Sequence, residues 1–198
     1  MKKGLKTIEL TLAGMFVAMM CIGANITSIV PFMVVGGVPI TLQTFFAILS
    51  GAILGSRLGA ITMAVYAFVG LAGAPVFAKF GGGLSHILSP TFGFIISYIF
   101  TAYVTGKLIE MKKSLPVYIT AALIGMIINY GFGTNWMYFA YKLWASAPDG
   151  FTYKLAWTWM IVPLPKDIIL AVFAGLMANR LEHKVLARSQ FRKIQRTA

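Results

Sequence analysis

The sequence predicts an all-α integral membrane protein: six transmembrane helices, both termini in the cytoplasm, and an outward-facing ligand pocket under a loop lid. Three observations predict it. The 198 residues are 59% hydrophobic and 11% charged, against about 25% charged in soluble domains. Long intervals carry no charge at all: 10–56, 58–78, 80–106, 114–141 and 168–179. Lys and Arg gather in the segments that an even number of crossings places on one side. Hydrocarbon satisfies no open backbone, so a crossing is a helix of about 20 apolar residues or part of a closed barrel. The short alternating strands of a barrel are absent from this sequence.

The first span covers 8–30. Lys2, Lys3 and Lys6 precede it as they would a secretory signal, but its apolar run is long for a signal core and nothing soluble follows, so it is expected to stay as a helix. Cys21, the only cysteine, lies inside it; no internal disulfide is available, and the thiol reads as packing. Spans two and three, 40–56 and 58–76, meet at Arg57. The fourth covers 89–110, the fifth 116–141 and the sixth 159–181, followed by a basic cytoplasmic tail, 182–198. Residues 1–198 thus form a single transmembrane domain, since no loop is long enough to bury a soluble core.

Six crossings collect Lys2, Lys3, Lys6, Arg57, Lys107, Lys112, Lys113, Arg180, Lys184, Arg188, Arg192, Lys193 and Arg196 on one side. Lys79, Lys142, Lys154 and Lys166 fall on the other. Positive charge marks the cytoplasmic face, which places both termini there in a multi-pass cell-membrane protein. The net charge of +12 then faces anionic lipid, and no nucleic-acid partner is expected.

Small residues recur at spacing four: Gly14 with Ala18, Gly51 with Gly55 and Gly59, Ala171 with Gly175. Such pairs let helix backbones approach closely. Each is either packing inside the bundle or a docking face for another membrane protein. The second reading is strongest for Gly14 and Ala18, because the first span holds few polar groups.

Polar and glycine-rich residues gather toward the outer side. They are "VGGVPITLQ" (35–43, ending in Gln43), "GLAGAPVFAKFGGG" (70–83), "SPTFGF" (89–94), "INYGFGTNW" (128–136) and "PLPKD" (163–167). Segments converging at one depth predict one site. Asp167 opens a charge-free stretch beside Lys166. An ionisable residue in a span is a functional candidate by default, the alternative being an interfacial Lys–Asp pair. Asn129 is either a ligand contact or a hydrogen bond between helices. Lys79 is either a ligand cation or an interfacial anchor. His86 has no ligand-spaced partner and reads as a loop cap, not a metal site. Trp136, Trp144, Trp157 and Trp159 read as an interfacial belt. Gly73, Gly82 and Gly83 bare the backbone of the 73–83 segment and permit positive φ. Non-helical backbone at membrane depth must be protein-buried or line a cavity, so the segment is expected to be a lid or wall; the alternative is an exposed loop.

Gly106-Lys107 is followed by Leu108 and is no Walker A loop, and neither H-E-x-x-H nor G-x-S-x-G occurs. The chain is therefore not expected to be an enzyme, to hydrolyse ATP, or to carry a cofactor.

The run from "VPITLQTFF" to "GAPVFAKFGGG", with "LSPTFGFIISY" and "PLPKD", resembles the biotin-specific membrane subunits of energy-coupling-factor transporters, the BioY family. The resemblance covers residues 10–182, nearly the whole chain. It implies six helices that bind biotin from outside with high affinity. It also implies a transmembrane coupling protein and two cytosolic ATPases as partners, which alone use ATP. Gly14 and Ala18 fill the family's docking motif, usually two alanines. In the last span the family has Pro-Gly-Asp followed three residues later by lysine; here Lys166 replaces the glycine and Leu170 stands in the lysine's place. Under this resemblance Asp167 and Asn129 accept from the ureido N–H groups and Lys166 or Lys79 meets an oxygen or the carboxylate. Phe77, Phe94 and Tyr98 cover the rings, and Gln43, Gly73, Gly82 and Gly83 complete the site. The alternatives are a related subunit for another vitamin and a self-sufficient small-solute porter. The latter would want internal repeats or a relay of buried carboxylates, and neither is seen.

Overall fold

The computed structural model describes residues 6–29, 34–35 and 38–184. Lys2, Lys3, the glycines at 36–37 and the tail from 185 onward lie outside them, as do the topological expectations resting on those charges. Seven α-helices occur among the described residues: α1 (Thr7–Ile29), α2 (Gln43–Leu54), α3 (Ser56–Leu71), α4 (Phe92–Met111), α5 (Leu115–Leu143), α6 (Tyr153–Ile161) and α7 (Leu164–Lys184). A two-residue hairpin, β1 (Val34–Val35) against β2 (Val38–Pro39), joins α1 to α2. Two short 3-10 turns, Ala78–Phe80 and Leu84–Leu88, interrupt the connection from α3 to α4.

Six of these helices stand where spans were expected, but their lengths differ. Helices α1, α4 and α5 are long and apolar enough to cross a bilayer, and α6 with α7 makes a fourth candidate bent by 57°. Helices α2 and α3 have 12 and 16 residues, about 18 and 24 Å at 1.5 Å per residue, short of a hydrocarbon layer of about 30 Å. The expected span 159–181 straddles the bend. Residues 159–161 end α6, Pro163 lies in the break, and the long helix begins at Leu164 with Pro165 in its first turn, where proline is at ease. Helix α6 itself was not expected; Thr152 caps it, its Oγ1 accepting from the Leu155 N–H (3.2 Å).

Helix α2 breaks from α3 at Gly55, whose φ of +88° only glycine adopts readily. The Glu110 carboxylate of α4 then receives the Ser56 N–H (2.7 Å) and hydroxyl (2.9 Å). An anion there satisfies an orphan donor and suits the positive end of α3. Helix α4 is the centre of the bundle, touching α2, α3 and α5, while α7 packs on α5 and α2. Large apolar side chains face outward on several helices, among them Phe68 (α3), Ile127 and Phe139 (α5) and Phe173 (α7). Helices that are apolar inside and out are those of a lipid environment.

Candidate functional site

A cavity of about 220 Å³ opens where α2, α4 and α7 begin and α5 ends, room for a molecule several waters in size. Its walls come from every polar run in the sequence. The approach to α2 supplies Thr41 and its first turn Gln43 and Thr44; α4 supplies Phe94 and Tyr98; α5 supplies Asn129 and Tyr130; α7 supplies Asp167. The α3–α4 connection contributes Phe77, Lys79 and His86.

Asp167 sits in the first turn of α7, almost fully buried. Its Oδ1 accepts from Lys166 Nζ (2.6 Å) and its Oδ2 from the Tyr130 hydroxyl (2.6 Å). A carboxylate is tolerated at this depth because a cation, a phenol and a helix N-terminus compensate it. Lys166 Nζ also donates to the Thr41 carbonyl (2.7 Å). It thereby ties α7 to the segment ahead of α2, and it does not line the cavity.

Asn129 lies at the centre of a second network. Its Oδ1 accepts from the Thr44 hydroxyl (3.1 Å), and its Nδ2 donates to Ser97 Oγ (2.6 Å) and the Phe94 carbonyl (3.4 Å). Ser97 donates in turn to the same carbonyl (2.7 Å). Both amide hydrogens are engaged, while the oxygen keeps a lone pair; Asn129 is helix glue and cavity wall at once. Gln43 Nε2 donates to the Tyr66 hydroxyl (2.7 Å), which donates to the Val76 carbonyl (3.0 Å).

The α3–α4 connection is tethered at several points, although many of its side chains, Phe80 and Leu84 among them, are exposed. Beyond the Tyr66 bond, Trp136 Nε1 donates to the Ser89 carbonyl (3.2 Å) and Trp144 Nε1 to the Leu88 carbonyl (2.7 Å). These two indoles, read from sequence as an interfacial belt, hold backbone at the cavity wall (Ser89) and just beside it (Leu88). Lys79 (φ +59°) and Phe80 (φ +55°) are both left-handed, which costs L-residues about 1–2 kcal/mol each.

The structure brings Asp167, Asn129, Lys79, Phe77, Phe94, Tyr98 and Gln43 to one cavity. It leaves Lys166, Gly73, Gly82 and Gly83 off the wall. The glycines shape the connection from behind: Gly83 (φ +98°) donates its N–H to the Gly70 carbonyl (2.7 Å), and a Cβ on Gly82 would come 2.3 Å from the Ala74 carbonyl oxygen. Tyr130, Thr41, Thr44 and Tyr66 were not singled out in the sequence. A hydroxyl within an otherwise apolar span was the available signal, strongest for Tyr130 beside Asn129. Among the described residues no group of His, Cys, Asp or Glu is placed to hold a metal.

The BioY family model matches residues 1–187. BioYB of Bacillus subtilis (strain 168) is 42% identical over 97% of this chain and 96% of its own length. A protein of Thermotoga maritima named biotin transporter BioY is 34% identical over 88% of this chain and 95% of its own. Among solved structures, an S-component for biotin from an ECF-type ABC transporter superposes with a TM-score of 0.74, covering 91% of this chain and 96% of that one at 21% identity. The helical architecture is thus an S-component fold, and the chain is a multi-pass membrane protein with transporters, not enzymes, as relatives.

Proposed function

We propose that this chain, which belongs to the BioY family, is the high-affinity biotin-binding subunit of an energy-coupling-factor uptake system. The observation that carries the reading is the pairing of a cavity walled by both apolar and polar side chains with one compensated carboxylate, Asp167, whose oxygens each retain a lone pair after meeting Lys166 and Tyr130. Those lone pairs and the free one on Asn129 suit the two ureido N–H donors of biotin. Phe77, Phe94 and Tyr98 supply apolar faces for the fused rings. The cation for the valerate carboxylate is Lys79 rather than Lys166. Lys79 lines the cavity, whereas Lys166 is spent on Asp167 and the Thr41 carbonyl.

In this reading the α3–α4 connection is the lid, six crossings set both termini in the cytoplasm, and biotin arrives from outside. A coupling protein docks along Gly14 and Ala18 and two cytosolic ATPases drive the cycle, with ATP used by those partners alone. Both docking residues are exposed, and a Cβ on Gly14 would meet nothing within 4 Å, which favours a partner face over packing within the bundle. The test is equilibrium binding of radiolabelled biotin to the purified chain, with thiamine and riboflavin as competitors. Nanomolar retention of biotin that neither competitor displaces is expected. Displacement by another vitamin would reassign the ligand, and uptake by liposomes holding this chain alone would favour a self-sufficient porter.

A further inference from the structure

We propose that Asn25 of α1 is a positioning residue, a latch whose carboxamide oxygen holds the α3–α4 connection over the cavity and keeps Lys79 on its wall. The connection spends two successive non-glycine residues, Lys79 and Phe80, in the left-handed region (φ +59° and +55°). Three glycines follow at once, at 81–83, yet the strained places belong to a lysine and a phenylalanine. Strain of this kind persists only where the surroundings impose it. The imposing contact is at hand: the Phe80 N–H donates to Asn25 Oδ1 at 2.6 Å.

Asn25 is itself built for that contact. It is buried, on a helix with few polar residues. Its Nδ2 donates to the Cys21 carbonyl one turn back (3.0 Å), which turns the amide so that the oxygen, not the nitrogen, faces the connection. Below the latched tip, the Phe77 N–H donates to the Gly81 carbonyl (2.9 Å) and the Gly81 N–H to the Ala78 carbonyl (3.3 Å), closing a narrow turn. Phe77 and Lys79, both on this turn, line the cavity. Among the described residues no other hydrogen bond joins α1 to the connection. Tyr66, Trp136 and Trp144 hold its two ends, and among the described residues Asn25 supplies the side-chain hydrogen bond that holds its tip. An asparagine serving as ordinary inter-helix glue would bond another helix. This one bonds the strained backbone of a cavity wall.

Two measurements test the latch in the full-length, detergent-solubilised chain. Hydrogen exchange without ligand reads the turn directly. Asn25→Leu should speed exchange at the Phe77 and Gly81 amides about tenfold, the worth of one buried hydrogen bond, and leave the Phe92 amide unchanged. Phe80→Gly placed in the Asn25→Leu background should restore protection, because glycine takes positive φ without strain. The second measurement rests on the biotin reading: release of bound biotin should quicken about tenfold in Asn25→Leu and recover in the double variant. Unchanged exchange in Asn25→Leu, or no recovery with Phe80→Gly, overturns the latch. If the leucine variant folds poorly, Asn25→Ser, too short to reach, takes its place with the same outcomes expected. Should the parent bind no biotin, the exchange result still decides the latch and only the ligand assignment falls.

Discussion

The two ends of the bundle use glycine in opposite ways. Away from the cavity, glycine admits backbone. A Cβ on Gly51 would lie 2.1 Å from the Ala102 carbonyl oxygen, one on Gly106 2.4 Å from the Ser56 nitrogen, and one on Gly175 2.8 Å from the Tyr118 carbonyl oxygen. On the helices at the cavity end, glycine admits rings: Gly70 seats Phe77, Gly93 seats Trp136 and Gly133 seats Phe94, each so closely that a Cβ would overlap the aromatic side chain. Two main chains in contact cannot yield, so the far end is a rigid seam of the small-residue kind that joins helices in lipid. A ring can swing, and here Phe77 and Phe94 can swing only at the expense of the cavity they line. One end of the molecule therefore sets stability and the other sets the shape of the space a ligand fills.

The largest expected effect breaks this contrast if it fails. Gly51→Ala should cost about 3 kcal/mol of stability, the upper end of overpacking penalties, and abolish the monodisperse peak in size-exclusion chromatography. Gly133→Ala should keep that peak, because Phe94 can move, and should lower affinity for biotin about tenfold as the ring enters the cavity. Equal losses of folding in both would show that the two kinds of glycine are not distinct.

The next effect sharpens the polar side of the comparison. Asp167→Asn removes the charge that Lys166 and Tyr130 meet. It should weaken biotin about thirtyfold, about 2 kcal/mol for a charge-assisted hydrogen bond, measured by equilibrium dialysis with little change in melting temperature. An unchanged dissociation constant would mean that the carboxylate serves the fold and not the ligand.

The smallest effect separates the two lysines. Lys79→Met should weaken biotin about fivefold, and biotin methyl ester, which lacks the carboxylate charge, by less than about twofold. Lys166→Met should weaken both alike, because it acts through Asp167 and the Thr41 carbonyl. A selective loss of the acid in Lys166→Met instead would move the ligand's cation back to α7.

Much of the architecture was legible because insertion energetics is a local sum. Stretches free of charge mark helices whichever neighbours they acquire, and α1, α4 and α5 lie close to their expected limits. Helix α6 escaped notice because nine residues, Lys154 among them, are too few to read as a crossing. The bend at Pro163 was hidden because a proline just ahead of a helix reads equally as a boundary or as a continuation. The site was half legible. Asp167, Asn129, Gln43 and the aromatic trio stood out as polar or bulky residues at one depth. The roles of Lys166, the indoles of Trp136 and Trp144, and Asn25 did not.

By itself, then, the sequence determined a membrane-embedded helical bundle, the segments that meet at one end of it, and the family whose motifs it carries. These follow from the solvation of each residue and its near neighbours. Only the tertiary structure decided which lysine faces the cavity and which glycines seat rings rather than backbone. Lys166 is turned away by a carbonyl 125 residues distant in the chain, and no property of the residues around Lys166 specifies that oxygen's position.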